Sequence, residues 1–344
     1  MEKIQAIIKH FPEIGTVNSA KSFGSGHIND TYKVVCDNGT FLLQRINHHI
    51  FQDVEGMNRN IVMAMEHLNR SQKESGENRF EEICLYPTDK NTYHHVDEEG
   101  DYWRVMNFVK DSHSVDVVET AEQAYEAAKT YAYFQRHLVT LSTEGFIETI
   151  PDFHSLKWRL QQYDEALQKD AAQRAQSCQA ELEFVELHRH FADKLDALLK
   201  SGDIPIRITH NDTKINNVLF SNTTGKGIAV VDLDTIMPGT VLYDFGDMMR
   251  TFLSPAAEDE PDLTKVIFRQ EIFEALHKGY TEELNDILTD AEKENLRFGG
   301  KIMTFIIGLR FLTDHLNGDV YFKVAREGHN LDRCRTQFRL MELM

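Results

Sequence analysis

The feature that most constrains this chain is a change of hydrophobic period at about residue 109. Before it, apolar residues fall in short clusters between turn signals; after it, they recur every three or four residues over long stretches. KSFGSGHINDTYKVV sets Phe23 before a glycine-rich turn and Tyr32, Val34 and Val35 beyond it, DNG at 37–39 marks a tight turn, and TFLLQRI reads as the returning strand. EEICLYP, TYHHV and DYWRVMNFV read as three further strands. One helix is predicted among them, over 51–69, with Val54, Met57, Ile61, Met65 and Leu68 on one stripe. Later helices are predicted over 120–138, 154–169, 180–199, 264–280, 291–317 and 331–343, while SQKESGENR (71–79) and SPAAEDEPD (254–262) read as polar loops. The expectation is an α+β chain in two parts: a small β-rich lobe over 1–108 and a larger, mainly helical lobe over 109–344.

With 344 residues, the chain is long enough for one large or two ordinary domains. Its formal charge of −18 disfavours nucleic acid and anionic membrane as partners. No apolar run approaches the roughly 20 residues of a bilayer span. The opening MEKIQAIIKHFPEIG is amphipathic rather than a signal peptide. Cys36, Cys84, Cys178 and Cys334 stand far apart, which disfavours a zinc site or disulfide framework and fits a reducing cytoplasm. Nothing resembles a coiled coil, so a monomer is expected.

Between the helices lies one β-like island, IPIRITHNDTKINNVLFSNTTGKGIAVVDLDT. Inside it, His210, Asp212 and Asn217 stand at H-x-D-x-x-x-x-N spacing, and Asp232 follows the apolar run IAVV. Asp212 has the chemistry to orient a hydroxyl and accept its proton. Asn217 offers an amide oxygen and Asp232 a carboxylate, both hard ligands suited to Mg2+. Phosphoryl transfer asks for little more than a positioned nucleophile and neutralised phosphate charge.

These residues match the catalytic-loop pattern of kinase-like folds, and HNDTKINN with DLDTIMPG and LYDFGD resembles the aminoglycoside phosphotransferase superfamily. FGSGHINDTY, LLQRIN, DYWRVMNFV, IPDFHSLKWR and LRFLTDHLNGDVYFKV together resemble, more narrowly, the N-acetylhexosamine 1-kinase group. The resemblance implies a bilobal protein-kinase-like fold, ATP and Mg2+ as cofactors, and a small-molecule sugar substrate phosphorylated on its anomeric hydroxyl. It makes Asp212 the catalytic base, Asn217 and Asp232 the metal ligands, and Lys214 a group that reaches the transferring phosphate. His210 is read as support for the loop, and Asp244 and Asp247 as anchors of the helix that follows them.

For the nucleotide, the resemblance points to the backbone at Gly24 and Gly26 and to Asn107 and Val109 at the end of DYWRVMNFV. Kinase folds usually carry a lysine on the third strand; FLLQRIN has none, and Arg45, or less favourably Gln44, is expected to replace it. For the sugar it points to His27, Asp212, Asp234, Arg310 and Tyr321. Arg310 sits inside the apolar run IMTFIIGLRFL and must be paired or face a cavity; Asp314, one helical turn on, is the plainer partner. Two competing readings are an amino-alcohol kinase of the choline or ethanolamine type, and a nucleotide-binding regulator without turnover, which only the missing strand lysine favours.

Overall fold

In a computed structural model that describes residues 1–24 and 28–344, the elements follow one another as α1 (Glu2–Ile8), β1 (Val17–Ser22), β2 (Asp30–Cys36), β3 (Gly39–Ile46), α2 (Val54–Ser75), β4 (His95–Val96), β5 (Tyr102–Asn107) and β6 (Ser112–His113). Then come α3 (Ala121–Leu138), α4 (Leu156–Lys169), α5 (Gln179–His188), α6 (Phe191–Ser201), β7 (Arg207–Thr209), β8 (Val218–Ser221), β9 (Gly227–Val230) and β10 (Met237–Gly239). The chain ends in α7 (Val241–Phe252), α8 (Gln270–Leu284), α9 (Asp290–Asn317) and α10 (His329–Leu343). It divides into two compact units, the first made of Met1–His113, His137–Pro151 and Leu219–Pro238, the second of Ser114–Arg136, Asp152–Val218 and Gly239–Met344. The β-rich unit therefore takes in two later segments as well as the first lobe expected from the sequence, and one of them carries Asp232.

In the β-rich unit, five antiparallel strands lie in the order β1-β2-β3-β5-β4. Side chains alternate between the faces of each strand. On one face, Val34, Phe41, Leu43, Trp103 and Val105 pack with Ile7, Ile8 and Phe11 from α1 and the turn after it. On the other, Ile46 packs with Val54 and Met57 of α2. Asp53 starts α2 by accepting the Gly56 N–H at 2.8 Å, and Gly76, at φ 74°, ends it.

Three sequence expectations change here. The predicted loop at 71–79 is helical as far as Ser75, because Gln72 is buried and its side-chain oxygen accepts the Phe80 N–H at 2.9 Å. EEICLYP forms no strand, only a bridge between Leu85 and Met106. The predicted helix over 180–199 is two, broken at Arg189 and His190, where the His190 ring bonds to the Leu187 carbonyl at 3.0 Å.

The helical unit is built on α9, whose Ile302, Met303, Phe305, Ile306, Leu309 and Leu312 are all buried. A capping box starts it: Thr289 accepts the Glu292 N–H at 3.0 Å, and Glu292 accepts the Thr289 N–H at 2.8 Å. Glu292 also receives Arg207 on β7 through two bonds of 3.0 and 3.1 Å, which ties the strand leading into the loop of His210 and Asp212 to the helix start. Helix α7 packs backbone to backbone on α9; a Cβ on Gly246 would stand 2.3 Å from the Gly299 carbonyl oxygen. No helix among the described residues is long and apolar enough to cross a membrane.

Candidate active site

The loop that follows β7 is held from below by α7. Asp244 accepts the N–H of His210 at 3.0 Å and of Asn211 at 2.7 Å, and the Asp244 carbonyl receives the Thr213 hydroxyl. Burial pushes the Asp244 carboxyl up to about 6, against the pull of the two N–H bonds and the nearby His210. The His210 ring is fully buried beside Tyr131 and Phe134, and its Nδ1 accepts the Asp212 N–H at 3.2 Å. It therefore supports the loop. Asn211 sits at φ 65°, and a Cβ on Gly239 would come within 2.3 Å of Thr209 Oγ1 and 2.7 Å of Asn211 Oδ1. The turn has no room for a side chain there.

On this base Asp212, Lys214 and Asn217 come together. Lys214 Nζ lies 2.8 Å from Asp212 Oδ1 and 3.2 Å from Oδ2. Burial pushes the Asp212 carboxyl up, but the Lys214 ammonium, with His210 and Arg250, outweighs it and holds the group below its ordinary range; Asp212 in turn raises Lys214. Asn217 donates its amide to the Asp212 carbonyl at 2.9 Å. That carbonyl can only accept, so the amide orientation is fixed and Asn217 Oδ1 is the atom that could bind a cation. A carboxamide oxygen presented this way beside an ionised carboxylate fits a hard divalent cation such as Mg2+. Two further groups act on this loop: Arg250, which the sequence reading did not single out, is bonded to Asp247 at 2.8 Å and stabilises the charge on Asp212, and Asp247, read there only as a helix anchor, stabilises that on Lys214.

Beneath the same loop, His154 bonds through Nε2 to the Asn211 carbonyl at 3.0 Å, and burial pushes its imidazole down to about 4. Arg310 leaves α9 near by. Its guanidinium lies 5.4, 5.8 and 5.5 Å from the ring centres of Phe153, Tyr321 and Phe322. The Asp314 pairing does not form. That carboxylate instead accepts the N–H groups of Val320, Tyr321 and Phe322 at 2.8–2.9 Å and the Asn330 amide at 2.9 Å. Asp314 thus shapes the loop that brings Tyr321 to Arg310. Arg159, whose guanidinium feels the like charge of Arg310, bonds to Gln162 and to the Phe153 carbonyl. Among the described residues neither Arg159 nor Arg310 forms an ion pair with a carboxylate, and burial pushes both below the ordinary arginine range.

The β-rich unit holds the other expected groups. Asp232 is exposed, in a left-handed conformation (φ 60°), immediately before the one-turn 3₁₀ helix Leu233–Thr235. Asp234, expected at the sugar, is 2% exposed; one of its carboxylate oxygens receives the Asn29 amide at 2.6 Å and the other Arg104. It is buried within the unit instead of being offered to a ligand. Arg45 also departs from expectation. It shares a face of β3 with Phe41 and Leu43, the face α1 covers, and it is bonded to Asp30 and Asp101. The residue that faces α2 is Gln44, and Arg104 on β5 stands directly opposite it. Gly24 has φ 80° in the turn after β1, while Gly26 and His27 lie outside the described residues. The Asn107 side chain is committed to the Cys84 N–H and the Glu82 carbonyl; with Val109 it borders a cavity of about 410 Å³ that Lys110, Asp111, Ser221 and Ile228 also line.

Residues 19–278 match the phosphotransferase enzyme family (APH), and the chain belongs to that family. Solved structures share the fold at low identity. APH(2")-IIIa in complex with GDP and kanamycin matches with a TM-score of 0.61 and 12% identity, over 99% of this chain and 98% of that one. Spectinomycin phosphotransferase APH(9)-Ia, in complex with ADP and spectinomycin, matches at 0.58 and 13%, over 100% and 98%. A microcompartment-associated aminopropanol kinase matches at 0.57 and 16%, over 99% and 96%. The expected α+β, kinase-like fold is thus the observed one, and the chain is a small-molecule phosphotransferase by family.

Proposed function

We propose that this phosphotransferase uses ATP to phosphorylate the anomeric 1-hydroxyl of an N-acetylhexosamine, GlcNAc or GalNAc, by direct in-line transfer. The observation that carries the chemistry is Asp212, kept ionised by Lys214 and fixed in place through Asp244, His210 and Asn217. Asp212 aligns the acceptor hydroxyl and takes its proton as the new P–O bond completes and the bond to the ADP oxygen breaks. Lys214 balances charge on the transferring phosphoryl group. Asn217 and Asp232 would each offer Mg2+ an oxygen ligand, and the ion would supply neutralisation of charge on the triphosphate. Gly24 and Gly26 are assigned to the phosphates, and Val109 with the main chain of Asn107 to the nucleotide base.

The acceptor reading rests on Arg310 and Arg159. Two guanidiniums with no carboxylate partner among the described residues repel a cationic amino alcohol. With the rings of Phe153 and Tyr321, they suit a neutral acceptor rich in hydroxyl and amide oxygens. His27 is assigned a further contact to that acceptor.

A coupled ADP-release assay over N-acetylglucosamine, N-acetylgalactosamine, choline, ethanolamine and kanamycin tests this, with 31P NMR of the product. A sugar 1-phosphate is expected. Turnover confined to amine acceptors overturns the sugar assignment, and MgATP binding without transfer to any acceptor indicates a regulator.

A further inference from the structure

The fully buried Arg104 is the cation that faces α2 where a strand lysine was expected. Its Nε and Nη2 donate to Gln44 Oε1 at 2.9 and 2.7 Å, its Nη1 donates to Asn58 Oδ1 at 3.2 Å, and its Nη2 also bonds to Asp234. With 1% of its side chain exposed, Arg104 is a group enclosed by protein, as is Asp234 at 3%. Asp234 is tied on its other side to Asn29, whose own Oδ1 accepts the Asn47 N–H at 2.9 Å. Gln44 completes the set by donating to Thr31 at 3.1 Å. A buried ion pair is costly unless its remaining donors and acceptors are satisfied; here four of the five guanidinium N–H groups and both Asp234 oxygens have partners.

The pair acts on one short segment. Asp234 lies in the turn Leu233–Thr235, two residues after Asp232. The far end of that turn is held by α2, where Asn60 Nδ2 donates to the Ile236 carbonyl at 2.9 Å and to the Ile147 carbonyl at 2.8 Å. The turn is thus pinned at Asp234 and at Ile236, and Asp232 stands exposed at its open end.

We propose that Arg104 is a positioning residue: through Asp234 it fixes the turn that presents the Asp232 carboxylate to the divalent cation, and it makes no contact with phosphate itself. This rests on the reading of Asp232 as a metal ligand. The strand cation of this chain then serves the metal-binding turn from within the β-rich unit, in place of a lysine that reaches for the nucleotide. Arg45 is left outside the machinery, on the other face of the sheet.

The test measures Mn2+ affinity by electron paramagnetic resonance, with a saturating non-hydrolysable ATP analogue, in the full-length protein. Arg104→Lys keeps a charge that can reach Asp234 but cannot also bridge Gln44 and Asn58; Asp234→Asn removes the charge that Arg104 pulls on. Both are expected to raise the Mn2+ Kd at least tenfold and to raise the Mg2+ concentration for half-maximal rate, with the acceptor KM within twofold of the parent. Arg335→Met, which breaks the Arg335–Glu181 bond of 2.6 Å in the helical unit, calibrates a loss of stability alone. It should lower Tm and leave Mn2+ affinity unchanged. Should Arg104→Lys fail to fold, Asp234→Asn carries the test. A Mn2+ Kd within twofold of the parent in the folded variants overturns the proposal and leaves the metal reading standing. No nucleotide-dependent Mn2+ binding by the unmodified protein overturns the metal reading, and this proposal with it.

Discussion

The Lys214 ammonium lies 2.8 Å from Asp212 Oδ1, two residues back along the same loop. The pair is part exposed, so its effect on stability is small, but each charge fixes the ionisation of the other. Lys214→Gln removes the cation that offsets burial of Asp212. The acid limb of the pH–rate profile should move to higher pH, and kcat should fall on the order of 100-fold through the lost phosphate charge balance. An unmoved limb would mean that Asp212 is not the titrating group.

Arg310 is predicted to act on the acceptor and not on the nucleotide. Arg310→Met keeps bulk against Phe153, Tyr321 and Phe322 but removes the charge and donors. The acceptor KM should rise about tenfold or more, in line with the loss of a charged hydrogen bond, while the ATP KM stays within twofold. Steady-state kinetics with each substrate varied in turn checks it.

Gly239 meets the catalytic loop where no Cβ fits. In Gly239→Ala the new methyl, 2.3 Å from Thr209 Oγ1, must push the strand or the loop aside. A loss of about 1–3 kcal/mol is expected from such overpacking, with kcat falling more than either KM. Thermal unfolding and initial rates measure both.

His154 gives the stability of the helical unit a pH signature. Its folded pKa of about 4 lies below the unfolded value of 6.5, so the unfolded chain takes up the proton first as pH falls. The stabilising contribution is complete above about 6.5 and is lost as pH drops towards 4. Asp244, with its folded pKa raised to about 6, works in the opposite sense, losing stability as pH rises from 3.8. The comparison with His154→Gln isolates the histidine, because Asp244 is common to both. Chemical denaturation should show the stability gap between parent and variant shrinking by up to about 3 kcal/mol from pH 7 to pH 4; a constant gap would contradict the buried neutral imidazole.

The parts of the site that lie close together in sequence were legible there. His210, Asp212 and Asn217 belong to one loop, so their spacing already carried their geometry. What the sequence hid was set by distant partners and by strand faces. Asp234 looked available to a ligand until Arg104, 130 residues away, was found bonded to it. Arg45 and Gln44 are neighbours on opposite faces of β3, but both faces carry apolar residues, and alternation alone could not say which one met α2. Asp314 stood one turn from Arg310, an ordinary helical pair, until the loop at 320–322 took up its oxygens. The helix through Ser75 was missed because polar residues 71–75 look solvated, whereas Gln72 is buried to hold Phe80.

The most direct test of the account is Asp212→Asn in a single-turnover experiment, with MgATP affinity measured on the same sample by isothermal titration. Asparagine keeps the size of the side chain and removes the proton acceptor. Phosphoryl transfer to an N-acetylhexosamine should fall by about 1,000-fold or more, within the range general-base removal reaches, with nucleotide Kd changed less than threefold. Equal losses in transfer and in nucleotide binding, or transfer at the parent rate, would contradict the role given to Asp212.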